Sequence, residues 1–308
     1  MMKALSLLSL PVLFACILAA CGPAQNETRK TESVSGPAAD SFAPNPPVGM
    51  ELVWSDEFDA DGRPDPANWT YETGYVRNHE AQWYRPESAE VKDGCLVITA
   101  EHHEQPLPNP NPFGRMFGGN DGPIEYTSAC LITKGLHSFC YGRIEARIKA
   151  PMTEGCWPAF WTLGVSENWP ACGETDIFEY YKETVLANFY WSSDKGQWVP
   201  QGPSVKTSLD TFKKDDPDWA DKFHVYAMDW TPDRLTFTVD GKVFSDHPIT
   251  DVKNAMFRSV SNPFHQPHYL LVNLALGGDC GGDVTAIKFP VRMLVDYVRV
   301  YQQVPAAD

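Results

Sequence analysis

The chain has 308 residues, of which 12% are aromatic, and its formal net charge is −15 at pH 7. This length is enough for one large all-β domain or for two smaller domains. The negative charge would repel other polyanions, so the composition argues against nucleic acid and sulfated polysaccharides as partners.

The N-terminus reads as an export signal. Lys3 precedes the apolar run ALSLLSLPVLFACILAAC, which is too short and too interrupted to span a bilayer and ends in small residues. It predicts a signal peptide over residues 1–20. Its last residues, LAACG, are similar to a bacterial lipobox, in which Cys21 would carry a lipid. We therefore expect a lipoprotein of the Gram-negative outer membrane or cell surface; a plain signal peptide with a coincidental cysteine is the alternative.

A flexible linker is predicted over residues 21–47. The segment is rich in Pro, Ser, Ala, Asn and charged residues and has almost no large apolar side chains. Such a composition buries too little apolar surface to offset the entropy cost of ordering the chain. The linker would join Cys21 to a single domain over residues 48–303.

Short strands separated by turns follow from Glu51 onward. In GRIEARIKA, the apolar residues Ile144, Ala146 and Ile148 alternate with charged ones, as in a strand with one buried face. Other candidate strands are GCLVITA, FHVYAMDW, RLTFTVDGKVF, YLLVNLALGG and MLVDYVRVY. No segment has a long helical period, so the pattern predicts an all-β sandwich or barrel. Two Pro/Gly-rich interruptions, 103–124 and 199–218, are predicted to be long loops.

The stretch ACGETDIFEYY places three carboxylates in a predicted strand. Glu174 and Asp176 share a face because strand side chains alternate, whereas Glu179 should point the opposite way. One extra residue, a β-bulge between Asp176 and Glu179, would bring all three to one face.

Carboxylates grouped in this way suit glycosidic bond cleavage. Two glutamates whose carboxyl groups lie about 5–6 Å apart can act as nucleophile and acid/base of a retaining glycosidase. Mutual repulsion would also raise the pKa of at least one group, as a general acid requires. The alternative is a row of solvent-facing acids on an edge strand. Trp157, Trp161 and Trp169 lie close by in the sequence and favour a sugar-binding site.

The motif GETDIFEYY resembles the Glu-x-Asp-x-x-Glu signature of glycoside hydrolase family 16, in the bulged form of its laminarinase-like members. Further blocks resemble the family in the same order, among them RNHEAQWYRPESAEVKDGCLVITA, YGRIEARIKAP, WPAFWTLG and QPHYLLVNLALGGD. The resemblance implies a β-jelly-roll sandwich of two curved antiparallel sheets, with the substrate cleft across the concave face.

Individual roles follow from the resemblance. It implies that Glu174 is the nucleophile, that Glu179 is the general acid and then the base, and that Asp176 hydrogen-bonds the nucleophile. The implied substrate-binding residues are Asn78, Glu80, Trp83, Arg85, Trp157, Trp161 and His224. For His224 a buried, hydrogen-bonded structural histidine is the alternative, and the positions of Asn273 and Gln266 are equally open.

The implied activity is retaining endo-hydrolysis of β-1,3- or mixed β-1,3/1,4-glucan by a monomer that needs no cofactor for catalysis. Three alternatives remain. The chain could be a galactan hydrolase of the agarase or β-1,3-galactanase type. It could be a transglycosylase, in which a sugar resolves the covalent intermediate. It could also be a non-catalytic glucan-binding protein, although such relatives lack the acid pair that this chain keeps.

The resemblance also implies a structural calcium ion. The matching positions are Glu57, the carbonyl of Gly94, and Asp296, and oxygen ligands of this kind suit calcium. Plain surface acids are the alternative.

Six cysteines remain in the predicted domain. They are Cys95, Cys130, Cys140, Cys156, Cys172 and Cys280. Several fall within strand patterns, where a free cysteine behaves as a small apolar residue. We therefore expect mostly free thiols; a Cys130–Cys140 bridge across a hairpin at Gly135 is the alternative.

Overall fold

The computed structural model describes residues 45–110, 122–193, 196–254 and 261–304. Cys21, the signal peptide and most of the linker lie outside this part of the chain, so all three stay predictions. The strands are β1 (Met50–Asp56), β2 (Thr70–Glu72), β3 (Gln82–Tyr84), β4 (Ala89–Lys92), β5 (Cys95–Leu107), β6 (Ile124–Ser128), β7 (Cys130–Ile132), β8 (Gly142–Lys149), β9 (Cys156–Gly164), β10 (Glu174–Tyr181), β11 (Thr184–Ser193), β12 (Gly196–Gln201), β13 (Ser204–Ser208), β14 (His224–Trp230), β15 (Arg234–Val239), β16 (Lys242–Pro248), β17 (His268–Leu276) and β18 (Val291–Gln303).

Helices are short in the described ranges. The α-helices are α1 (Leu209–Lys213) and α2 (Gly278–Gly281), and 3-10 turns occur at Pro86–Ser88, Trp219–Asp221, Pro263–His265 and Val284–Ala286. None of the described helices is long and apolar enough to cross a membrane.

The strands form two sheets. One has ten strands in the order β16-β15-β14-β8-β18-β5-β6-β3, with β1 added beside β18 and β4 beside β5. The other has eight strands in the order β12-β11-β10-β9-β17-β7-β2, with β13 added beside β11. Neighbouring strands are antiparallel except for β3 and β6, which pair in parallel. The predicted all-β sandwich of antiparallel sheets is confirmed.

The main core lies between the two sheets. Ile144, Ala146 and Ile148 of β8 are fully buried there, as their alternation predicts. Across the interface, the ring of Phe178 in β10 lies 4.0 Å from that of Tyr226 in β14, measured between centroids. Removal of this apolar surface from water is the main stabilising contribution to the sandwich.

A second, smaller apolar cluster lies on the opposite face of the eight-stranded sheet. Because side chains alternate along a strand, each strand that sends residues into the core sends others to this face. The cluster contains Tyr84, Cys130, Ile132, Ala159, Trp161, Tyr269, Leu271 and Ala275, with Trp157 and Leu163 packed against it. This face forms the floor of the cavity described below.

Strand β10 contains the predicted bulge. Its register with β11 shifts between Asp176 and Glu179, and its register with β9 shifts between Asp176 and Phe178. The two consecutive residues at the bulge, Ile177 and Phe178, both pack into the main core. The extra residue therefore returns Glu179 to the face that carries Glu174 and Asp176.

The segment 199–218 is more regular than the sequence suggests. It contains β13, which pairs with β11 in a register that places Lys206 opposite Leu186, and it also contains α1. The prediction of a long loop is wrong here. The strand is short, and the Pro and Gly residues on either side of it outweigh the alternation of its exposed and partly buried side chains in the sequence pattern. Of the other predicted loop, 103–124, the first part extends β5 to Leu107, and residues 111–121 lie outside the described part of the chain.

Two smaller predictions are also confirmed. Asp240 and Gly241 have φ angles of 49° and 73°. This left-handed pair joins β15 to β16 in the tight hairpin that the sequence predicts. The six cysteines of the domain are all free thiols in the structure, so Cys130 and Cys140 are not bridged.

Candidate active site

A cavity of about 310 Å³ lies over the second apolar cluster of the eight-stranded sheet. It is lined by Arg77, Asn78, Glu80, Trp157, Ala159, Trp161, Leu163, Trp169, Glu174, Asp176, Glu179 and Asn273. The structure thus brings together the three predicted catalytic carboxylates and four of the predicted substrate-binding residues, namely Asn78, Glu80, Trp157 and Trp161.

Glu174 lies at the start of β10 and is partly buried. The indole Nε1 of Trp169 donates a hydrogen bond to its Oε2 (2.8 Å). Burial and the nearby charge of Glu179 raise the pKa of Glu174 to about 7, while the Trp169 bond and the positive charge of Arg77 act in the opposite direction. Trp169 itself exposes 42% of its surface, so it forms part of the cavity rim.

Glu179 is held by two donors. Trp157 Nε1 donates to its Oε1 (2.8 Å), and Asn188 Nδ2 donates to its Oε2 (2.7 Å). Burial raises the pKa of Glu179, and these two hydrogen bonds oppose that rise because they stabilise the charged form. Asn188 lies opposite Asp176 on β11. The sequence gives no signal for it, because the β10–β11 hairpin turns at Lys182-Glu183, without the glycine or asparagine typical of such turns.

Asp176 lies between the two glutamates and exposes only 3% of its surface. Its carboxyl group interacts with the carboxyl groups of both. Burial, followed by the charges of Glu179 and Glu174, raises the pKa of Asp176 well above its usual range. In the ligand-free cavity Asp176 is therefore the carboxyl group best suited to hold a proton.

The carboxyl cluster should make folding stability depend on pH. A carboxyl group whose pKa is higher in the folded than in the unfolded protein contributes its stabilisation below the unfolded value, and loses it as pH rises through the folded value. For Glu174 this window runs from 4.5 to about 7. We expect Glu174→Gln to be more stable than the wild type at pH 8, by roughly 1–3 kcal/mol, with the gain vanishing near pH 4.5.

Urea unfolding of both proteins at pH 4.5, 6 and 8 measures this difference. Glu90→Gln, an exchange at an exposed position of β4, is the matched control and should show no gain at any pH. A Glu174→Gln variant that is equally or less stable than the wild type at pH 8 would contradict the account.

One wall of the cavity is a chain of hydrogen bonds. Trp161 Nε1 donates to Asn273 Oδ1 (2.7 Å), and Asn273 Nδ2 donates to the hydroxyl of Tyr84 (3.1 Å). Nearby, Gln82 Nε2 donates to Glu80 Oε2 (2.7 Å). Trp161 is thereby fixed in place and exposes only 8% of its surface. Asn273, which the sequence left open, belongs to the cavity.

The structure corrects the placement of Trp83. In β3, Gln82 and Tyr84 are buried and join the wall described above, so Trp83 between them points to the opposite side. Its ring packs edge-on against Tyr75, with centroids 5.4 Å apart. Trp83 does not line the cavity, because the alternation of β3 assigns that side to its neighbours.

Arg85 and His224 also lie outside the cavity. The guanidinium of Arg85 donates to Glu101 Oε2 (3.1 Å) and Ser88 Oγ (3.2 Å). His224 belongs to β14 of the other sheet. The structure therefore does not bring these two residues together with the other predicted substrate-binding residues.

The contacts of His224 and Gln266 fit structural roles. His224 bonds through Nδ1 to Asp240 Oδ2 and through Nε2 to the carbonyl of Trp219, both at 2.7 Å. Gln266 donates to the carbonyl of Cys172 (2.8 Å) and thereby fixes the segment that precedes β10.

Two of the three positions expected to bind calcium, Glu57 and Asp296, form ion pairs, and no contact of the third, the Gly94 carbonyl, bears on the expectation. Glu57 receives hydrogen bonds from Nε and Nη2 of Arg299 (2.9 and 2.7 Å), and Asp296 pairs with Nη1 of Arg147 (2.9 Å). Across the described ranges, no three His, Cys, Asp or Glu side chains are grouped as metal ligands. The structural calcium ion therefore stays a prediction.

Known proteins resemble this chain over most of its length. A family model described as glycosyl hydrolases family 16 matches residues 77–297. A beta-glucanase of Rhodothermus marinus is 36% identical over 269 residues, which cover 82% of this chain and 86% of that protein. The solved laminarinase of the same organism superimposes with a TM-score of 0.64, at 36% identity, over 83% of this chain and 98% of that one.

A further solved structure superimposes with a TM-score of 0.73 at 32% identity. Its description concerns endo-acting O-glycanases that prominent members of the human gut microbiota express to initiate mucin breakdown. The match covers 83% of this chain and 92% of that one. The family model, which spans more than half of the chain, and the 36% identity together establish that this chain belongs to glycosyl hydrolase family 16.

Proposed function

We propose that the protein is an endo-acting glycoside hydrolase that cleaves β-1,3- or mixed β-1,3/1,4-glucan with retention of configuration. The observation that carries the proposal is the pair of glutamates in one cavity, each held by a tryptophan indole, with Asp176 between them. The similarity to a beta-glucanase over 82% of the chain supports glucan as the substrate class.

In the proposed mechanism Glu174 attacks the anomeric carbon and forms a covalent glycosyl ester. Glu179 donates a proton to the leaving oxygen and then takes a proton from the water that hydrolyses the ester. The assignment follows the order of the two glutamates in the family motif. The tryptophans at the cavity, Trp157 and Trp169, orient the two carboxyl groups through their indole N–H groups.

A general acid must begin with a proton. Burial raises the pKa of Glu179, although the hydrogen bonds from Trp157 and Asn188 act in the opposite direction. The raised pKa favours the protonated form of Glu179 that the first step requires.

The proposal is tested by reducing-sugar release from laminarin, lichenan, agarose, β-1,3-galactan and mucin O-glycans, assayed side by side. We expect release from laminarin or lichenan. We also expect polymer viscosity to fall faster than reducing ends accumulate, because an endo enzyme cuts internal bonds. Release from the galactans or mucin alone would instead favour the galactan alternative or the activity described for the O-glycanase neighbour. Products longer than the starting oligosaccharide would indicate transglycosylation.

We also propose that the protein is exported and anchored through a lipid on Cys21. The support is the signal-like run followed by LAACG. Labelled palmitate should enter the full-length protein in a Gram-negative host, and Cys21→Ser should abolish the label. An unlabelled wild-type protein would indicate an ordinary secreted enzyme.

A further inference from the structure

Arg77 is a cavity residue that the sequence analysis did not identify. It follows β2 in the chain and lines the same cavity as Glu174. Its guanidinium carbon lies 5.0 Å from the centroid of the Trp161 ring. The side chain exposes 22% of its surface, so the guanidinium is largely removed from solvent but not enclosed. The guanidinium of Arg77 therefore lies over the ring of Trp161 and lines the cavity there.

Glu72 anchors the guanidinium from one side. It pairs with Nη2 of Arg77, and Glu72 Oε2 also accepts a hydrogen bond from Sγ of Cys130 (3.2 Å). The strand registers place these residues in one row across the sheet, which runs Glu72, Cys130, Asn273, Ala159, Glu179. Four strand spacings amount to about 19 Å, so Glu72 lies far from Glu179 and holds Arg77 at the other side of the cavity.

This arrangement differs from that of a purely structural arginine. Burying a guanidinium is costly unless its donors are satisfied. Among the described residues, Arg77 makes one side-chain hydrogen bond, through Nη2 to Glu72. Its Nη1 and Nε donors are therefore available to a ligand in the cavity. Arg143, for comparison, uses both Nε and Nη1 on the carboxylates of Glu145 and Asp229.

The charges around Arg77 indicate the kind of ligand. The cavity also contains four carboxyl groups, on Glu80, Glu174, Asp176 and Glu179. An anionic sugar would be repelled by this excess of acids, whereas the hydroxyls of a neutral sugar accept hydrogen bonds from a guanidinium fork. The charged groups that act on Arg77 are Glu72 and Glu80, and those that act on Glu174 are Glu179 and Arg77.

We propose that Arg77, anchored by Glu72 and stacked on Trp161, is a substrate-binding residue that donates hydrogen bonds to hydroxyls of the sugar beside Glu174. The inference rests on the proposed glucanase function. That sugar belongs to the part of the substrate that Glu174 attacks, and not to the leaving group. The same positive charge also favours the ionised form of Glu174, which the attack requires.

The test compares Arg77→Met and Arg77→Lys with the wild type on laminarin. Arg77→Met leaves Glu72 without its partner and could fail to fold for that reason. In that case the double variant Glu72→Gln/Arg77→Met replaces it in the same measurements. We expect Arg77→Met to lower kcat/KM by about 10- to 100-fold, as for the loss of hydrogen bonds from a charged donor. Arg77→Lys should restore part of this loss. In Arg77→Met the acidic limb of the pH–rate profile should move to higher pH, because the charge of Arg77 no longer lowers the pKa of Glu174.

Binding is measured separately in a Glu179→Gln background, by calorimetry with laminaritetraose. There Arg77→Met should weaken the Kd by a similar factor. Arg147→Met is the matched control, because Arg147 pairs with Asp296 in the other sheet. It should lower the Tm without changing kcat/KM.

The role of Arg77 would be overturned by folded Arg77 variants whose kcat/KM and Kd stay within twofold of the wild-type values and whose pH–rate profile does not move. A wild-type protein that neither binds laminaritetraose nor releases sugar from laminarin would instead overturn the glucanase proposal on which this inference rests.

Discussion

Glu174→Ala is expected to lose turnover by on the order of 10⁴-fold, and sodium azide is expected to restore part of it with an inverted product. The variant lacks the carboxylate that would form the glycosyl ester, so azide can enter the space and attack the anomeric carbon directly. The product would be an α-glycosyl azide. An aryl β-glycoside of laminaritriose with a good leaving group serves as substrate, and proton NMR identifies the configuration of the azide.

Glu179→Ala provides the opposite outcome. Here the ester still forms from the activated substrate, and azide resolves it with a second inversion, so the product should be a β-glycosyl azide. Glu90→Ala, an exchange on an exposed strand position, should retain full activity. The opposite pair of configurations would exchange the two roles. The two configurations test the assignment directly, because burial raises the pKa of both Glu174 and Glu179.

Trp157→Phe is expected to lower kcat by about tenfold or more, since ~1.4 kcal/mol of lost orientation corresponds to tenfold. The change keeps an aromatic ring near Tyr181, whose centroid lies 5.6 Å from that of Trp157, but removes the indole N–H that holds Glu179. Loss of a donor to the charged form should raise the pKa of Glu179 further. The alkaline limb of the pH–rate profile should therefore move to higher pH.

Trp157→Ala separates the ring from the N–H group. It removes the sugar-contacting surface as well, so it should raise KM in addition to lowering kcat. Trp54→Phe is the matched control, because Trp54 Nε1 also donates to a side chain, Asn68 Oδ1 (3.2 Å), but on β1 and away from the cavity. Equal losses in Trp157→Phe and Trp54→Phe would mean that the Trp157 bond serves stability and not catalysis.

The grouping of the three carboxylates could be predicted because its geometry is local to one strand. The parity of Glu174, Asp176 and Glu179 alone requires a bulge, and the structure places it between Asp176 and Glu179. The apolar alternation of β8 likewise predicts its buried face. Both inferences depend on neighbours along the chain and need no knowledge of which strands pair.

The walls of the cavity were less predictable because they depend on pairing between distant segments. The resemblance implied Trp83 for the cavity wall, but in β3 the buried residues Gln82 and Tyr84 join that wall and Trp83 lies between them. Asn188 reaches Glu179 through a hairpin that has no typical turn residues. Arg77 is held by Glu72 and Trp161, and these contacts depend on how the sheet is assembled.

His224 and Arg85 show a different source of error. They were assigned by position in a motif, and motif position does not distinguish a ligand-binding side chain from one that holds the scaffold. The structure gives each of them protein partners, Asp240 and Trp219 for His224, and Glu101 for Arg85.

The most direct measurement of the central claim is the configuration of the sugar that the wild-type enzyme releases. Proton NMR during the first minutes of laminarin hydrolysis resolves the α and β anomers of the new reducing ends before mutarotation mixes them. Double displacement at Glu174, assisted by Glu179, predicts that the β anomer appears first and that the α anomer grows in later. Initial release of the α anomer would contradict the mechanism.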